Sequence, residues 1–146
     1  MKVLVLHGVN LNMLGKRDPG QYGIVTLPEI DHALKALAAE LEVQVESFQA
    51  NVEGVLCERI HQAHGDVDAV VINAGAWTHY SHAIRDALAI LRVPIVEVHL
   101  SNIHAREPFR HHSYLSDISK AVIAGAGIMG YRFAVEYLAG LHTGQG

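Results

Sequence analysis

Short apolar runs rich in β-branched residues recur along the chain at Val3-Leu4-Val5-Leu6, Val43 to Phe48, Ala69-Val70-Val71-Ile72, Ile95 to Val98 and Ala121 to Ala124, each bounded by turn or polar residues. Runs of this length and makeup predict strands, five in all. Between them the apolar spacing lengthens to that of a helix. The clearest case opens with Thr26 and Glu29 in capping-box spacing, has Pro28 in its first turn and repeats apolar residues at Ile30, Leu34, Leu37 and Leu41. Ile84, Ala87, Leu88 and Leu91 follow Ser81 in the same manner, Val55, Leu56 and Ile60 more weakly, and Tyr131 to Leu141 predicts a closing helix.

Strand and helix therefore alternate, which argues for a parallel sheet with helices on both faces; five strands suit the flavodoxin-like order better than a barrel. A chain of 146 residues allows one domain, spanning 1–146. Two connections break the alternation: residues 7 to 25 before the first helix, and residues 99 to 117 where a fourth helix belongs. Connections this long in a compact domain are usually functional or disordered.

Composition narrows the function. Eleven Lys and Arg against fifteen Asp and Glu give a formal charge of −4, too acidic to wrap a nucleic-acid backbone by charge. Eleven histidines would carry that charge to +7 on full protonation. The one cysteine, Cys57, excludes an internal disulfide and a multi-thiolate metal site, reads as a buried spectator thiol, and fits a reducing compartment. No run approaches the roughly 18 apolar residues of a spanning helix, so the expectation is a cytoplasmic protein with no membrane partner.

In open α/β sheets ligands bind beyond the carboxyl ends of the strands. Strand one leads there to Asn10, Asn12, Arg17 and Tyr22. Strand three ends at Asn73 and leads to Thr78, His79 and Ser81, and strand four delivers Glu97, His99, Ser101 and Asn102, followed by Arg106 and Arg110. Arginines with amide and hydroxyl donors suit a carboxylate-bearing, hydroxyl-rich small molecule, because the guanidinium fork meets a carboxylate at two points. Phosphate is the competing anion, but the turn His7 to Asn12 has neither nucleotide-loop spacing. Gly125-Ala126-Gly127-Ile128-Met129-Gly130 matches GxGxxG after the last strand, with no βαβ unit to follow, and is read as close helix packing. The histidine pairs His99 with His104, His79 with His82, and His111 with His112 lack a carboxylate or thiolate at an established ligand spacing, so no metal is expected.

Tyr22 serves as a general base only as phenolate, which a nearby cation favours, and Arg17 lies five residues away. Gly15, Pro19, Gly20 and Gly23 punctuate that segment, as expected of a lid at about residues 15–23. His99, read as lying with Glu97 on alternate sides of a strand end, is a candidate general acid.

Together these segments resemble the type II 3-dehydroquinate dehydratases. The carriers are Asn10-Leu11-Asn12-Met13-Leu14-Gly15 with Arg17 and Tyr22-Gly23, Gln49 to Gly54, Ile72-Asn73-Ala74-Gly75 with Thr78-His79, Ile84 to Leu88, and Glu97 to Glu107 with Phe109-Arg110. The resemblance implies a flavodoxin-like fold, a homododecamer of four trimers, and loss of water from 3-dehydroquinate to give 3-dehydroshikimate without metal or organic cofactor, in aromatic biosynthesis or quinate breakdown. It further implies roles. Tyr22 would take the proton next to the ketone, with Arg17 stabilising the transition state; a water near Asn10 would stabilise the enolate; His99, oriented by Glu97, would protonate the departing hydroxyl. Asn73, His79, Arg110, Leu100 and Ser101 would hold substrate, with Asp86 supplied from a neighbouring subunit. Val9, Trp77, Tyr80 and Pro108 depart from the family pattern without replacing any of these. The rival reading is a flavodoxin-like binding module for FMN or a phosphorylated ligand, and a metal-dependent hydrolase is third.

Overall fold

A computed structural model describes residues 1–144. Five parallel strands, β1 (Lys2–His7), β2 (Gln44–Gln49), β3 (Ala69–Asn73), β4 (Ile95–His99) and β5 (Ala121–Ala124), form one sheet in the order β2-β1-β3-β4-β5. This is the flavodoxin-like order expected from the alternation. Among the described residues five α-helices accompany them: α1 (Pro19–Tyr22), α2 (Leu27–Leu41), α3 (Glu53–Gln62), α4 (His82–Leu91) and α5 (Met129–His142).

Side chains alternate across the pleat, so each strand supplies both faces of the sheet. Leu4, Leu6, Val70, Ile72 and Ile95 pack with Leu56 and Ile60 of α3 and with Ile84 and Leu88 of α4. Val3, Val5, Val71, Val96 and Val98 pack on the opposite face with Ile30 and Leu34 of α2 and with Tyr131 and Leu138 of α5. Because β1 and β3 are covered on both sides, their interiors are continuous apolar runs, and β4, buried in the same way, interrupts its run with Glu97.

The helix starts follow their capping residues. The Thr26 hydroxyl accepts from the Glu29 amide at 3.4 Å, and the Ser81 hydroxyl accepts from the Ile84 amide at 3.0 Å. Gly130 packs so closely on the sheet that a Cβ there would stand 3.2 Å from Val98 Cγ1. Close helix packing is thus what the last glycine of the GxGxxG match serves. Cys57 is half-buried against the α3 side of the core, less enclosed than expected, and burial pushes its thiol up.

Both long connections have structure. In residues 15–23, Asp18 caps the short helix α1 by accepting from Gly20 N–H at 2.9 Å, with Pro19 in the first turn. Between β4 and β5 the missing helix is replaced by three 3-10 turns, Ile103–Ala105, Pro108–Arg110 and Ser116–Ile118. Leu115, fully buried with the α3 and α4 core, anchors that segment. No helix among the described residues is long and apolar enough to cross a membrane.

Candidate active site

The strand order reverses at β1, whose neighbours are β2 and β3, and the cavity opens just beyond the carboxyl ends there, as the topology requires. Register brings the right residues to one level. His7 pairs with Gln49 on one side and Asn73 on the other, while Ile72 pairs with Glu97. The chain after β1 then turns against the chain after β3. A Cβ on Gly8 would fall 2.1 Å from the Ala74 carbonyl oxygen, so only glycine allows this approach. Gly8 N–H donates to the Asn73 carbonyl at 2.7 Å, and Gly75, at φ 63°, continues the turn.

Nine of the residues given a role in the sequence line this one cavity: Asn10, Arg17, Tyr22, Asn73, His79, His99, Leu100, Ser101 and Arg110. Asn10 is left-handed at φ 69°, and its N–H donates to Asn51 Oδ1 at 2.9 Å. Gln49 donates to the same oxygen at 3.0 Å and to the Gly8 carbonyl at 3.2 Å. The segment after β2 therefore braces the loop that carries Asn10.

The guanidinium carbon of Arg17 lies 3.7 Å from the centre of the Tyr22 ring, and that of Arg106 lies 5.1 Å from it. Positive charge thus stands against the ring whose oxygen becomes negative if it acts as a base. The sequence places Arg106 at this edge without a role of its own. It lines the cavity, its Nη1 donates to Ser101 Oγ at 3.3 Å, and its Nε is buried without a partner.

Glu97 and His99 are not on alternate sides of the strand. Positions two apart share a face of a pleated strand, and His99 Nε2 is hydrogen-bonded to Glu97 Oε2. Glu97 is fully buried behind the cavity and accepts from Thr78 Oγ1 at 2.9 Å, Ser113 Oγ at 2.7 Å and Ser116 Oγ at 2.6 Å. Burial alone would raise its carboxyl, but the hydrogen bond and charge of His99 and the two serine donors outweigh it and hold the group at about 2. A buried carboxylate thus meets one ring nitrogen, Nε2, and His99 itself lines the cavity.

His79 stacks near His99 with ring centres 6.4 Å apart. Burial lowers its affinity for a proton, and the charges of His99 and Arg110 act in the same direction. Its Nδ1 lies 2.8 Å from the His112 carbonyl, which can only accept, so the Nδ1–H tautomer is present and Nε2 offers a lone pair.

Asp86 stands apart. It is exposed on α4 in a different groove, with His82, Arg85, His104 and Asp117 among its lining, and it does not reach the cavity of its own chain. Asn12 is exposed outside the cavity lining, Ser81 caps α4, and Asn102 caps a 3-10 turn by accepting from His104 N–H at 3.1 Å. Sequence reasoning did not identify Ser113 and Ser116, since neither sits at a strand end. Among the described residues no three His, Cys, Asp or Glu side chains are grouped to hold a metal ion.

A family model described as dehydroquinase class II matches residues 1–139. The chain belongs to the class II dehydroquinases. Within that family it is 65% identical over 141 residues to the 3-dehydroquinate dehydratase of Leptothrix cholodnii, covering 93% of this chain and 95% of the relative. It is 55% identical over 135 residues to the catabolic 3-dehydroquinase 2 of Neosartorya fischeri, covering 92% and 90%. The crystal structure of the type II dehydroquinase from Propionibacterium acnes superposes with a TM-score of 0.92 at 46% identity, covering 94% of this chain and 95% of that one.

Proposed function

We propose that this chain converts 3-dehydroquinate to 3-dehydroshikimate, with Tyr22 as base and His99 as acid. The observation that carries the reading is their joint placement: Tyr22 under the Arg17 guanidinium and His99 on the Glu97 carboxylate line the same cavity. Family membership and the names of the close relatives support the choice of substrate.

The substrate carries a ketone with a hydroxyl on the carbon β to it. Tyr22 phenolate takes a proton from the intervening carbon, and the electron pair moves onto the carbonyl oxygen as an enolate. Arg17 offsets the charge developing in that step, and a water held near Asn10 donates to the enolate oxygen. The enolate then re-forms the carbonyl, its electrons make the new carbon–carbon double bond, and the hydroxyl leaves with a proton from His99 Nδ1. One proton is taken and one is given, so the net loss is water. Resetting the site moves a proton from Tyr22 back to His99 through solvent. The Glu97 carboxylate supports this role, because it accepts from Nε2–H and stabilises positive charge on the ring before transfer.

Arg110 and the Leu100-Ser101 segment bind the substrate carboxylate, a reading supported by the concentration of guanidinium and hydroxyl donors on that side of the cavity. His79 Nε2 accepts from a ring hydroxyl, and Asn73 binds beside it. Residues 15–23 act as a lid, since Arg17 and Tyr22 both ride on them. Asp86 completes a neighbour's site in a homododecamer of four trimers, which its position outside its own cavity supports. A cytoplasmic location is proposed on the single cysteine.

Purified protein given 3-dehydroquinate should form a conjugated enone, read as rising ultraviolet absorbance. Substrate recovered unchanged contradicts the assignment.

A further inference from the structure

Behind the cavity, the side of the sheet facing α2 and α5 contains a chain of polar groups, buried except for the partly exposed Asp31, of which the proposed chemistry uses only Asn73. His7 is fully buried at the end of β1, and Tyr131, at the start of α5, is 1% exposed. His7 Nε2 lies 2.9 Å from Asp31 Oδ1 on α2, and His7 Nδ1 lies 3.1 Å from the Tyr131 hydroxyl. Asn73 Nδ2 donates to that hydroxyl at 3.1 Å, and Asn73 Oδ1 accepts from Gly75 N–H at 3.1 Å. Asn73 alone of these side chains, 4% exposed, lines the cavity where His99 and Tyr22 stand.

Donor accounting gives the chain a direction. A carboxylate only accepts, so Asp31 requires the hydrogen of His7 on Nε2. In the neutral imidazole His7 Nδ1 is then an acceptor, and the Tyr131 hydroxyl donates to it. The Tyr131 oxygen is left to accept, so the group facing it has to be the Asn73 NH2 and not its carbonyl. Reversing the Asn73 amide would set Oδ1 against a hydroxyl whose hydrogen is already committed and Nδ2 against the Gly75 N–H. Burial pushes the Tyr131 phenol up, so it keeps the hydrogen this chain needs.

We propose that Asp31, His7 and Tyr131 are positioning residues that fix the orientation of the Asn73 amide in the substrate cavity. The proposal rests on the dehydratase reading for its kinetic form and on geometry alone for its structural form. Asn73 binds substrate, so a loosened amide weakens ground-state and transition-state binding together, and KM carries the effect.

The test is a pair of double-mutant cycles on the full chain. Tyr131→Phe removes the hydroxyl and keeps the ring; KM should rise about 10-fold with kcat within about 3-fold, in line with the loss of one or two hydrogen bonds. In an Asn73→Ala background the same change should move KM less than about 2-fold, because the side chain it acts through is gone. Asp31 is partly exposed, so Asp31→Ala provides the variant that keeps its fold should Tyr131→Phe fail to. It should raise KM about 5-fold, again only when Asn73 is present, and Asp31→Asn, which keeps an acceptor oxygen, should restore the parent value. Independent, multiplying effects in either cycle overturn the proposal, as does an Asp31→Asn enzyme as impaired as Asp31→Ala. If the parent does not turn 3-dehydroquinate over, the reaction assignment fails by itself, and the crystal structure of Tyr131→Phe, or of Asp31→Ala, decides the positioning role. An Asn73 amide displaced from its single orientation supports it, and an unmoved amide overturns it.

Discussion

His99 and Glu97 face each other across one pleat of β4, the imidazole Nε2 on the carboxylate Oε2, with Thr78, Ser113 and Ser116 completing the shell of the carboxylate. A buried charge is tolerated only when its lone pairs are occupied, and four partners do that here. The same contact occupies Nε2 and leaves Nδ1 for the acid role proposed for His99, so packing and the proposed chemistry depend on one pair.

Glu97 should make the protein acid-sensitive in a defined window. Its carboxyl is held at about 2 in the fold against an ordinary 4.5. Between those values the unfolded chain binds a proton that the native state does not, so stability falls as pH drops through the window and is fully present above it. Urea unfolding from pH 5 to pH 2 should show this slope, and Glu97→Gln should flatten it while lowering stability at neutral pH. An unchanged slope in that variant would assign the acid sensitivity elsewhere.

His99→Ala should lower kcat by a factor on the order of 100 to 10,000 with the fold kept and substrate still bound, the range expected for removal of a general acid. Glu97→Gln should fall between parent and His99→Ala. Near-parent turnover in His99→Ala would move the acid role, with His79 the next group in reach.

The fold was legible because the strands and the longer helices carry local signals. Thr26 and Ser81 mark helix starts by chemistry that acts within one turn, and the β-branched runs mark buried strands whatever lies beside them. The cavity lining was legible for a related reason: a parallel sheet delivers whatever follows each strand to one edge. Glu97 and His99, adjacent but for one residue, share a face because a strand repeats every two residues. Ser113, Ser116 and the chain through Tyr131 were not legible at all, because contacts separated by 16 to 124 residues leave no local pattern. Helix α1 was missed although Asp18-Pro19 is a capping signal, since the glycines around it dominate the reading.

Arg17 should be replaceable by lysine only at a cost. The planar guanidinium lies against the Tyr22 ring, and an ammonium is a compact charge on a flexible stem that does not stack. Arg17→Lys should retain a small fraction of parent turnover, and Arg17→Ala about tenfold less again, both with substrate affinity within a few-fold. Steady-state kinetics separates the two. Variants that bind poorly but turn over normally at saturation would make Arg17 a substrate clamp.

Asp86 should matter only in an assembly. Sedimentation should show a large closed particle, and Asp86→Ala should weaken substrate binding even though the residue is remote from its own cavity. A dilute monomer with full activity would remove the neighbour from the site.

The most direct test of the paired roles of Tyr22 and His99 is the rate of enone formation from 3-dehydroquinate, followed by ultraviolet absorbance for the parent, Tyr22→Phe and His99→Ala side by side. The parent should convert substrate without added metal or cofactor. Tyr22→Phe keeps the ring and loses the proposed base, so its rate should collapse while substrate affinity stays within a few-fold, and His99→Ala should fall by the factor given above. A parent that forms no enone, or a Tyr22→Phe enzyme that forms it at the parent's rate, would contradict the mechanism.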